Sequence, residues 1–200
     1  MMKLRMGNSS RRERGQSVVE FALVLPLMAV MLCSILEFGL AFDANLGLEA
    51  VSRQGARTGA SLGNFGTQGV CSGAIGALAN ATVDPAIVNA VQTSLSSAGI
   101  DMTSVKISIF GVDASGVTNT GINKYKWNTP SSAFVADGTY AWPACGRHDG
   151  TFGGGIYDSI GVQITYTYTS RTGLLAIFTG GLPMTTKAIM PIGPPALLQP

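Results

Sequence analysis

The chain has 200 residues, of which 46% are hydrophobic and 12% are charged, and these values suit one medium-sized domain with an anchor rather than two enzymes. Residues 1–15 contain five basic side chains and one acidic side chain, a net charge of +4, whereas the remaining residues carry a net charge of −2. The positive charge therefore belongs to the N-terminal segment, and the bulk of the chain is expected to offer no basic face to nucleic acid.

The N-terminal region changes abruptly from charged to apolar within the stretch RRERGQSVVEFALVLP, residues 11–26. From Phe21 to Phe42 only Ser34 and Glu37 are strongly polar, and these 22 residues would rise about 33 Å as a helix. That length matches a hydrocarbon core of about 30 Å. Because basic residues flank one side only, the pattern predicts a single membrane span with its N-terminus in the cytoplasm and the rest of the chain outside.

Three of the four kinds of N-terminal signal fit this segment poorly. A cleaved secretory signal has a shorter apolar stretch, followed by a small-x-small site. A lipoprotein signal would need small residues before Cys33, which instead follows Met31 and Leu32. A twin-arginine signal would need apolar residues directly after Arg11 and Arg12, where the chain has another charged pair.

The fourth kind, a prepilin signal, has a basic leader, a glycine and a glutamate as fifth residue of the mature chain. Gly15 would end the leader, Gln16 would begin the mature chain, and Glu20, followed by Phe21, would be its fifth residue. A carboxylate in hydrocarbon costs a few kcal/mol unless it is partnered. Cleavage after Gly15 would create an amine at Gln16, and Glu20 of one subunit could pair with that amine of a neighbour. The alternative is an uncleaved signal anchor in which the glutamate is accidental.

The apolar helix is predicted to continue out of the bilayer as one helix over residues 16–60, with one packed face. Pro26 should kink it within the membrane part. Gly47, Gly55 and Gly59 would let another helix or a sheet approach closely, or they mark a weaker helix end.

Three charged side chains on this helix are candidate interface residues. Glu37 is either a water-accessible carboxylate at the outer interface or a partner for arginines of another subunit. Arg53 and Arg57, four residues apart on one face, are either such partners or a solvated stripe.

Past a glycine-rich linker, the pattern predicts short helices over 72–81 and 85–98, the second capped by Asp84 and stopped by Gly99. Alternation of apolar and polar residues predicts three strands, at Val105–Ile109, Val162–Tyr168 and Ala188–Ile192. The predicted fold is α+β, with a long N-terminal transmembrane helix followed by a small domain of short helices on an antiparallel sheet.

Residues 111–155 form the least regular section, rich in aromatic residues, with hairpins predicted near 122–127 and 133–142. The section either carries a binding surface or pads the domain edge. In an oxidising compartment Cys71 and Cys145 are expected to form a disulfide, which would link this section covalently to the segment that follows α1. His148 is interpreted as a polar turn residue rather than a catalytic base, and a zinc site with the two cysteines lacks an evident fourth ligand.

Several stretches together resemble the TadE-like pseudopilins of the tight-adherence pilus system. They are GQSVVEFALVLP from Gly15, EFG from Glu37 and RQGAR from Arg53, with a weaker echo in GVQITYTY from Gly161 and LPMTTKAIM from Leu182. The resemblance implies cleavage by a prepilin peptidase and a minor role in pilus assembly.

The sequence as a whole predicts a structural protein with no catalytic residues, cofactor or metal. Its expected parts are a leader over 1–15, the helix over 16–60 and an extracytoplasmic domain over 61–200. Its expected partners are membrane lipid, the peptidase, other pilins and the assembly platform, with no nucleic acid. The protein is expected in the inner membrane, with its C-terminal domain in the periplasm. Whether it stays in the membrane or enters the pilus fibre is left open by the sequence. An alternative is a membrane-anchored adhesin that binds its ligand through the aromatic section at 121–145.

Overall fold

A computed structural model describes residues 10–62, 74–112, 118–138, 141–142, 147, 159–171, 173 and 180–192. Within these ranges the chain forms two α-helices, a short 3-10 helix at Met102–Ser104 and five strands. The elements are α1 (Ser10–Leu62), α2 (Ala74–Ser97), β1 (Val105–Val112), β2 (Thr118–Asn128), β3 (Ala133–Ala136), β4 (Ser159–Tyr168) and β5 (Leu182–Pro191). The predicted α+β class, with a long apolar N-terminal helix ahead of an antiparallel sheet, is confirmed.

The five strands form one antiparallel sheet in the order β3-β2-β1-β4-β5. Alternation places Ile107 opposite both Tyr125 and Ile164, so one face of the sheet collects the apolar side chains of three neighbouring strands. The predicted strands at Val105–Ile109 and Val162–Tyr168 are confirmed within β1 and β4. The strand predicted at Ala188–Ile192 begins earlier, at Leu182.

The core lies between the apolar face of the sheet and the two helices. Only the second half of α1 contributes to it, because the buried positions of that helix begin at Glu37. Fully or almost fully buried members are Leu48, Val51 and Ala56 of α1, Ile87, Val91 and Leu95 of α2, and Ile107, Ile109, Ile160, Val162 and Ile164 of the sheet.

Two glycines let α1 lie close to both of its neighbours. A Cβ added at Gly55 would fall 2.7 Å from Cγ2 of Val91 in α2 and 3.1 Å from Cγ1 of Val162 in β4. A Cβ added at Gly59 would fall 2.6 Å from Cδ1 of Ile160. At Gly47 the nearest atom would be 3.5 Å away, an ordinary contact, so close approach is required at the first two positions only.

The prediction of two short helices before β1 was wrong, because residues Ala74–Ser97 form one helix with Pro85 inside it. Asp84 was expected to cap the second helix, yet it lies in the interior of α2 and is completely buried. Its carboxylate is bound by side chains from other parts of the chain, so tertiary contacts replace the capping role. The predicted stop is confirmed, since Gly99 has φ +65 and the Ile100 amide donates to the carbonyl of Leu95 at 3.1 Å.

The described residues between 118 and 138 are more regular than predicted for the section 111–155. Residues 122–127 lie in the middle of the long strand β2, and β2 and β3 pair across a turn at 129–132 to form one hairpin. Tyr125, Phe134 and Trp142 are buried, and Trp127 packs edge-on against Phe134 with ring centroids 5.3 Å apart. In the described part of this section the aromatic side chains therefore belong to the core and do not form an exposed binding surface.

The face of the sheet that is turned away from the helices is basic. Lys106, Lys124, Lys126 and Lys187 all lie on it and are exposed. The expectation that the bulk of the chain has no basic face was wrong, because a near-zero net charge says nothing about how strand alternation separates the charges.

Candidate membrane and assembly site

The first half of α1 stands free of the domain. From Gln16 to Leu36 every side chain is exposed except Cys33 and Ser34, which are half-buried, although most of these residues are apolar. The helix is long and apolar enough to cross a membrane. The free segment rises about 31 Å, which matches a hydrocarbon core of about 30 Å. These properties are compatible with single-pass anchoring, in which lipid or neighbouring helices cover the apolar surface.

The free segment begins with the residues that the sequence singled out. Gly15, Gln16, Glu20 and Phe21 are all helical, and Gln16, Glu20 and Phe21 are exposed. The Gln16 side-chain amide donates a hydrogen bond to Oε1 of Glu20 at 3.1 Å. This contact places the two residues on the same side of the helix, one turn apart. The amide is a neutral donor, so this bond leaves the negative charge of Glu20 uncompensated.

Glu37 is the first buried residue after the free segment, with 1% of its surface exposed. Its Oε1 accepts hydrogen bonds from the Tyr168 hydroxyl at 2.9 Å and from the Arg171 backbone amide at 3.0 Å. Burial of Glu37 contradicts the first of its two predicted roles, that of a water-accessible carboxylate. Glu37 joins the start of the packed half of α1 to the end of β4.

The pKa of Tyr168 reflects its contact with Glu37 at this junction. Burial in the core, together with its hydrogen bond to Glu37, raises the pKa of Tyr168 to about 12. Burial, together with the negative charge of Asp101, also raises the pKa of Tyr166, two residues earlier on the same face of β4. Both phenols therefore stay neutral at physiological pH, and Tyr168 keeps its proton available for the Glu37 carboxylate.

Arg53 and Arg57 lie at the surface of the packed half of α1. Nη2 of Arg53 is 2.9 Å from Oε1 of Glu49, one turn earlier on the same helix, and the two side chains are 61% and 46% exposed. Arg57 is also exposed. Neither side chain lies in the core beside Glu37, so a role for them at a subunit interface stays a prediction.

A buried polar network fixes the other side of the domain, and sequence reasoning missed it. Nη2 of Arg147 is 2.6 Å from Oδ1 of Asp84, and both side chains are completely buried. Oδ2 of Asp84 accepts hydrogen bonds from Nδ2 of Asn123 at 2.7 Å and from the Tyr125 hydroxyl at 3.1 Å. The guanidinium carbon of Arg147 also lies 4.2 Å from the centre of the Trp142 ring.

This network ties α2, β2 and the segment after β3 together. Its members are separated by up to 63 residues, so no local spacing in the sequence signals it. The only available hint was a lone acid directly before a proline, which equally suits a helix cap. Replacement of either ion would leave the other charged and buried, which is costly.

Three predicted features lie outside the described residues. They are the Cys71 and Cys145 disulfide, the zinc alternative and the role of His148. Cys33 is described, and it is a free, half-buried thiol in the apolar half of α1.

Comparison with known proteins gives one family. The model of the TadE-like protein family matches residues 15–57, from the glycine before the free segment to Arg57 in the packed half of α1. Searches of curated proteins and of solved structures gave no match to this chain. The matched range contains the whole free segment, Glu20, Glu37 and the first close-approach glycine, Gly55, and it ends before Gly59. The resemblance is confirmed over these residues: the N-terminal helix is similar to the TadE-like protein family, which is consistent with a TadE-like protein of the tight-adherence pilus system.

Proposed function

We propose that this chain is a minor pseudopilin, a structural subunit that takes part in assembling a tight-adherence pilus and has no catalytic activity of its own. The observation that carries the proposal is the division of α1 at Glu37. An apolar half-helix of about 31 Å, which starts with Gly15 and Glu20, projects from a domain built on the other half. Such a helix needs lipid or similar helices around it, and a pilus subunit meets each of them in turn.

In this proposal a prepilin peptidase cleaves after Gly15 while the helix is in the inner membrane. The basic residues before Gly15 hold the leader in the cytoplasm, and the domain lies in the periplasm. Cleavage turns the backbone nitrogen of Gln16 into an ammonium group. The Glu20 carboxylate then has a cationic partner available, on a neighbouring helix in register, in place of the neutral Gln16 amide.

The hydrogen bond between Gln16 and Glu20 supports this role, because it shows that the two residues share one side of the helix. An exposed carboxylate on an apolar segment is unfavourable for a lone helix and favourable for an assembled one. The same pair therefore favours insertion of the subunit beside other pilins over a resting state in lipid. The partners in this proposal are the peptidase, other pilins and the assembly platform.

The decisive experiment compares Glu20→Gln with Glu49→Gln in cells that make the pilus. Both variants lose one carboxylate from α1, but Glu49 lies on the packed half, is about half exposed and pairs with Arg53. We expect Glu20→Gln to insert and to lose its leader normally, yet to reduce the pili recovered by shearing about tenfold. Glu49→Gln should leave pilus yield within about twofold of wild type. Normal piliation of Glu20→Gln would refute the pairing of Glu20 with the Gln16 amine.

Processing is tested separately by the mass of the purified chain from membranes and from sheared pili. We expect both fractions to begin at Gln16. A chain that keeps residues 1–15 in cells with an active prepilin peptidase contradicts the cleavage proposal. Detection of the mature chain in sheared pili would place it in the fibre, and its restriction to membranes would make it an assembly factor.

A further inference from the structure

The basic face of the sheet has an ordered arrangement of charge. Beyond residue 3 the sequence contains four lysines, and the structure places all four on the outer face, opposite the helices. The strand register arranges them in two neighbouring rows. One row runs Lys126, Lys106, Thr165 and Thr185, and the other runs Lys124, Ser108, Gln163 and Lys187.

This arrangement has an energetic cost that the fold does not explain. Lys106 and Lys126 are direct cross-strand partners, and like charges in such positions destabilise a sheet. Asp137 forms an ion pair with Lys126 at 2.8 Å, which offsets one of the four charges. The hydrogen bond from Lys126, with further attraction from Lys106 and Lys124, lowers the pKa of Asp137. Among the described residues, this face therefore keeps a surplus of positive charge.

The two rows enclose a shallow depression of about 480 Å³. Ser108, Gln163 and Thr165 lie between the lysines Lys106, Lys124 and Lys187, and the lining also includes Phe110, Ile122 and Asp137, whose carboxylate is held by Lys126. Lys124 and Lys187 are three strand spacings apart across this depression, about 14 Å. The depression therefore offers hydroxyl and amide groups in the middle and ammonium groups on either side.

The orientation of the lysine face excludes the bilayer around α1 as the ligand of this face. Glu37 contacts Tyr168 at one end of β4, and Gly59 lies against Ile160 at the other end, so β4 runs alongside the helix. Side chains stand roughly perpendicular to a sheet, so the lysines point sideways from the helix axis. A flat membrane crossed by α1 cannot contact both rows at once. The helices cover the opposite face, and the four lysines of this face are exposed.

We propose that this face binds a carboxylated polysaccharide. The uronate carboxylates would pair with the lysine ammonium groups, and the sugar hydroxyls would exchange hydrogen bonds with Ser108, Gln163 and Thr165. A single-stranded nucleic acid fits less well, because its bases need exposed aromatic rings to stack on. Phe110 is the aromatic residue of this face among the described residues, and it is buried beneath Lys187, whose ammonium group lies 5.8 Å from the ring centre.

The test uses the full chain in detergent micelles and measures binding to polygalacturonate by isothermal titration calorimetry. Neutral dextran, single-stranded DNA and vesicles containing anionic lipid serve as comparison ligands. We expect binding to polygalacturonate that weakens with salt, and little binding to dextran. Equal affinity for dextran, or tighter binding to the DNA or to the vesicles, overturns the proposal.

The variant Lys106→Gln/Lys124→Gln should lower the affinity for polygalacturonate about tenfold, since each charge contact contributes a fraction of the binding free energy. The matched control, Arg53→Gln/Arg57→Gln, removes the same charge from the solvated surface of α1 and should change the affinity less than about twofold. An equal loss in both variants would show attraction to net charge alone and would refute a site on the sheet.

Hydrogen exchange of the wild-type chain provides a measurement that does not depend on the folding of any variant. Polygalacturonate should slow exchange in peptides from β1, β2 and β4 and leave the free half of α1 unchanged. Protection confined to α1, or no protection at saturating ligand, contradicts the assignment. These outcomes do not depend on pilus assembly, so failure here leaves the proposed assembly role intact.

Discussion

The junction at Glu37 gives the sharpest stability prediction. Glu37→Ala removes the acceptor for the Tyr168 hydroxyl and for the Arg171 amide, at 2.9 and 3.0 Å. Hydrogen bonds to a charged group contribute about 1.5–3 kcal/mol each, and an orphaned buried donor adds a further penalty. The free energy of unfolding should fall by about 3–5 kcal/mol. For a chain of this size that corresponds to a decrease in Tm of roughly 10 °C.

Glu37→Gln should cost much less, about 1 kcal/mol, because the glutamine carbonyl still accepts a hydrogen bond and only the charge is lost. Glu49→Ala serves as the control on the same helix. Its ion pair with Arg53 is largely exposed, so the expected loss is about 0–1 kcal/mol.

The assay is urea unfolding of the full chain in detergent micelles, followed by tryptophan fluorescence. Both tryptophans of the chain, Trp127 and Trp142, lie in the domain, so the signal reports domain unfolding rather than loss of the membrane helix. Hydrogen exchange at the Arg171 amide separates local opening of the junction from global unfolding. If Glu37→Ala and Glu49→Ala lose the same stability, within about 1 kcal/mol, then the contacts of Glu37 do not hold the helix to the domain.

Three further predictions test the packing and the titration of the domain. Gly55→Ala should destabilise the domain by about 1–2 kcal/mol, because the new methyl overlaps stiff valine side chains. Gly47→Ala should stabilise it by up to about 1 kcal/mol, because alanine has a higher helix propensity than glycine. Equal effects of the two substitutions in urea unfolding would contradict close approach at Gly55. Asp84→Asn should cost about 3–5 kcal/mol in the same assay, because it leaves a buried guanidinium unpaired, and a loss below about 1 kcal/mol would show that water reaches the network. Absorbance at about 295 nm should show one tyrosine ionising near pH 12, a step that Tyr168→Phe removes. Because the pKa of Tyr168 is raised by folding, its contribution to stability is complete below about pH 10 and is lost as the pH rises toward 12. Wild-type stability that stays constant over this range, or that falls no more than in Tyr168→Phe, would contradict this linkage.

Sequence reasoning succeeded where the physical cause is local. The apolar run from Phe21 to Phe42 and the glycine stop at Gly99 depend on side chains that are near in sequence. Strands β1 and β4 show the same behaviour, because half-burial on a sheet imposes alternation on each strand separately. Even the close approach at Gly55 and Gly59 was among the expected alternatives, since a missing Cβ allows it in any context.

Sequence reasoning failed where a tertiary contact overrides the local preference of a side chain. The Asp84-Pro85 pair has the form of a helix start, yet α2 continues through it because the carboxylate is bound by Arg147, Asn123 and Tyr125. Local preference was overridden by a buried ion pair between residues 63 positions apart. For the aromatic residues at 121–145 the sequence left open a binding surface or padding of the domain edge, and the sheet register turned Tyr125 toward the core.

The sequence alone determined that this protein has a long apolar helix, a basic N-terminal flank and a carboxylate at Glu20, because hydrophobicity and charge along a single helix need no tertiary partner. Only the tertiary structure decided where that helix stops being free. The boundary lies at Glu37, whose hydrogen-bond partners are 131 and 134 residues away in the chain. The tertiary structure also gathered four scattered lysines on one face, because strand alternation and register, rather than spacing in the sequence, place side chains beside one another.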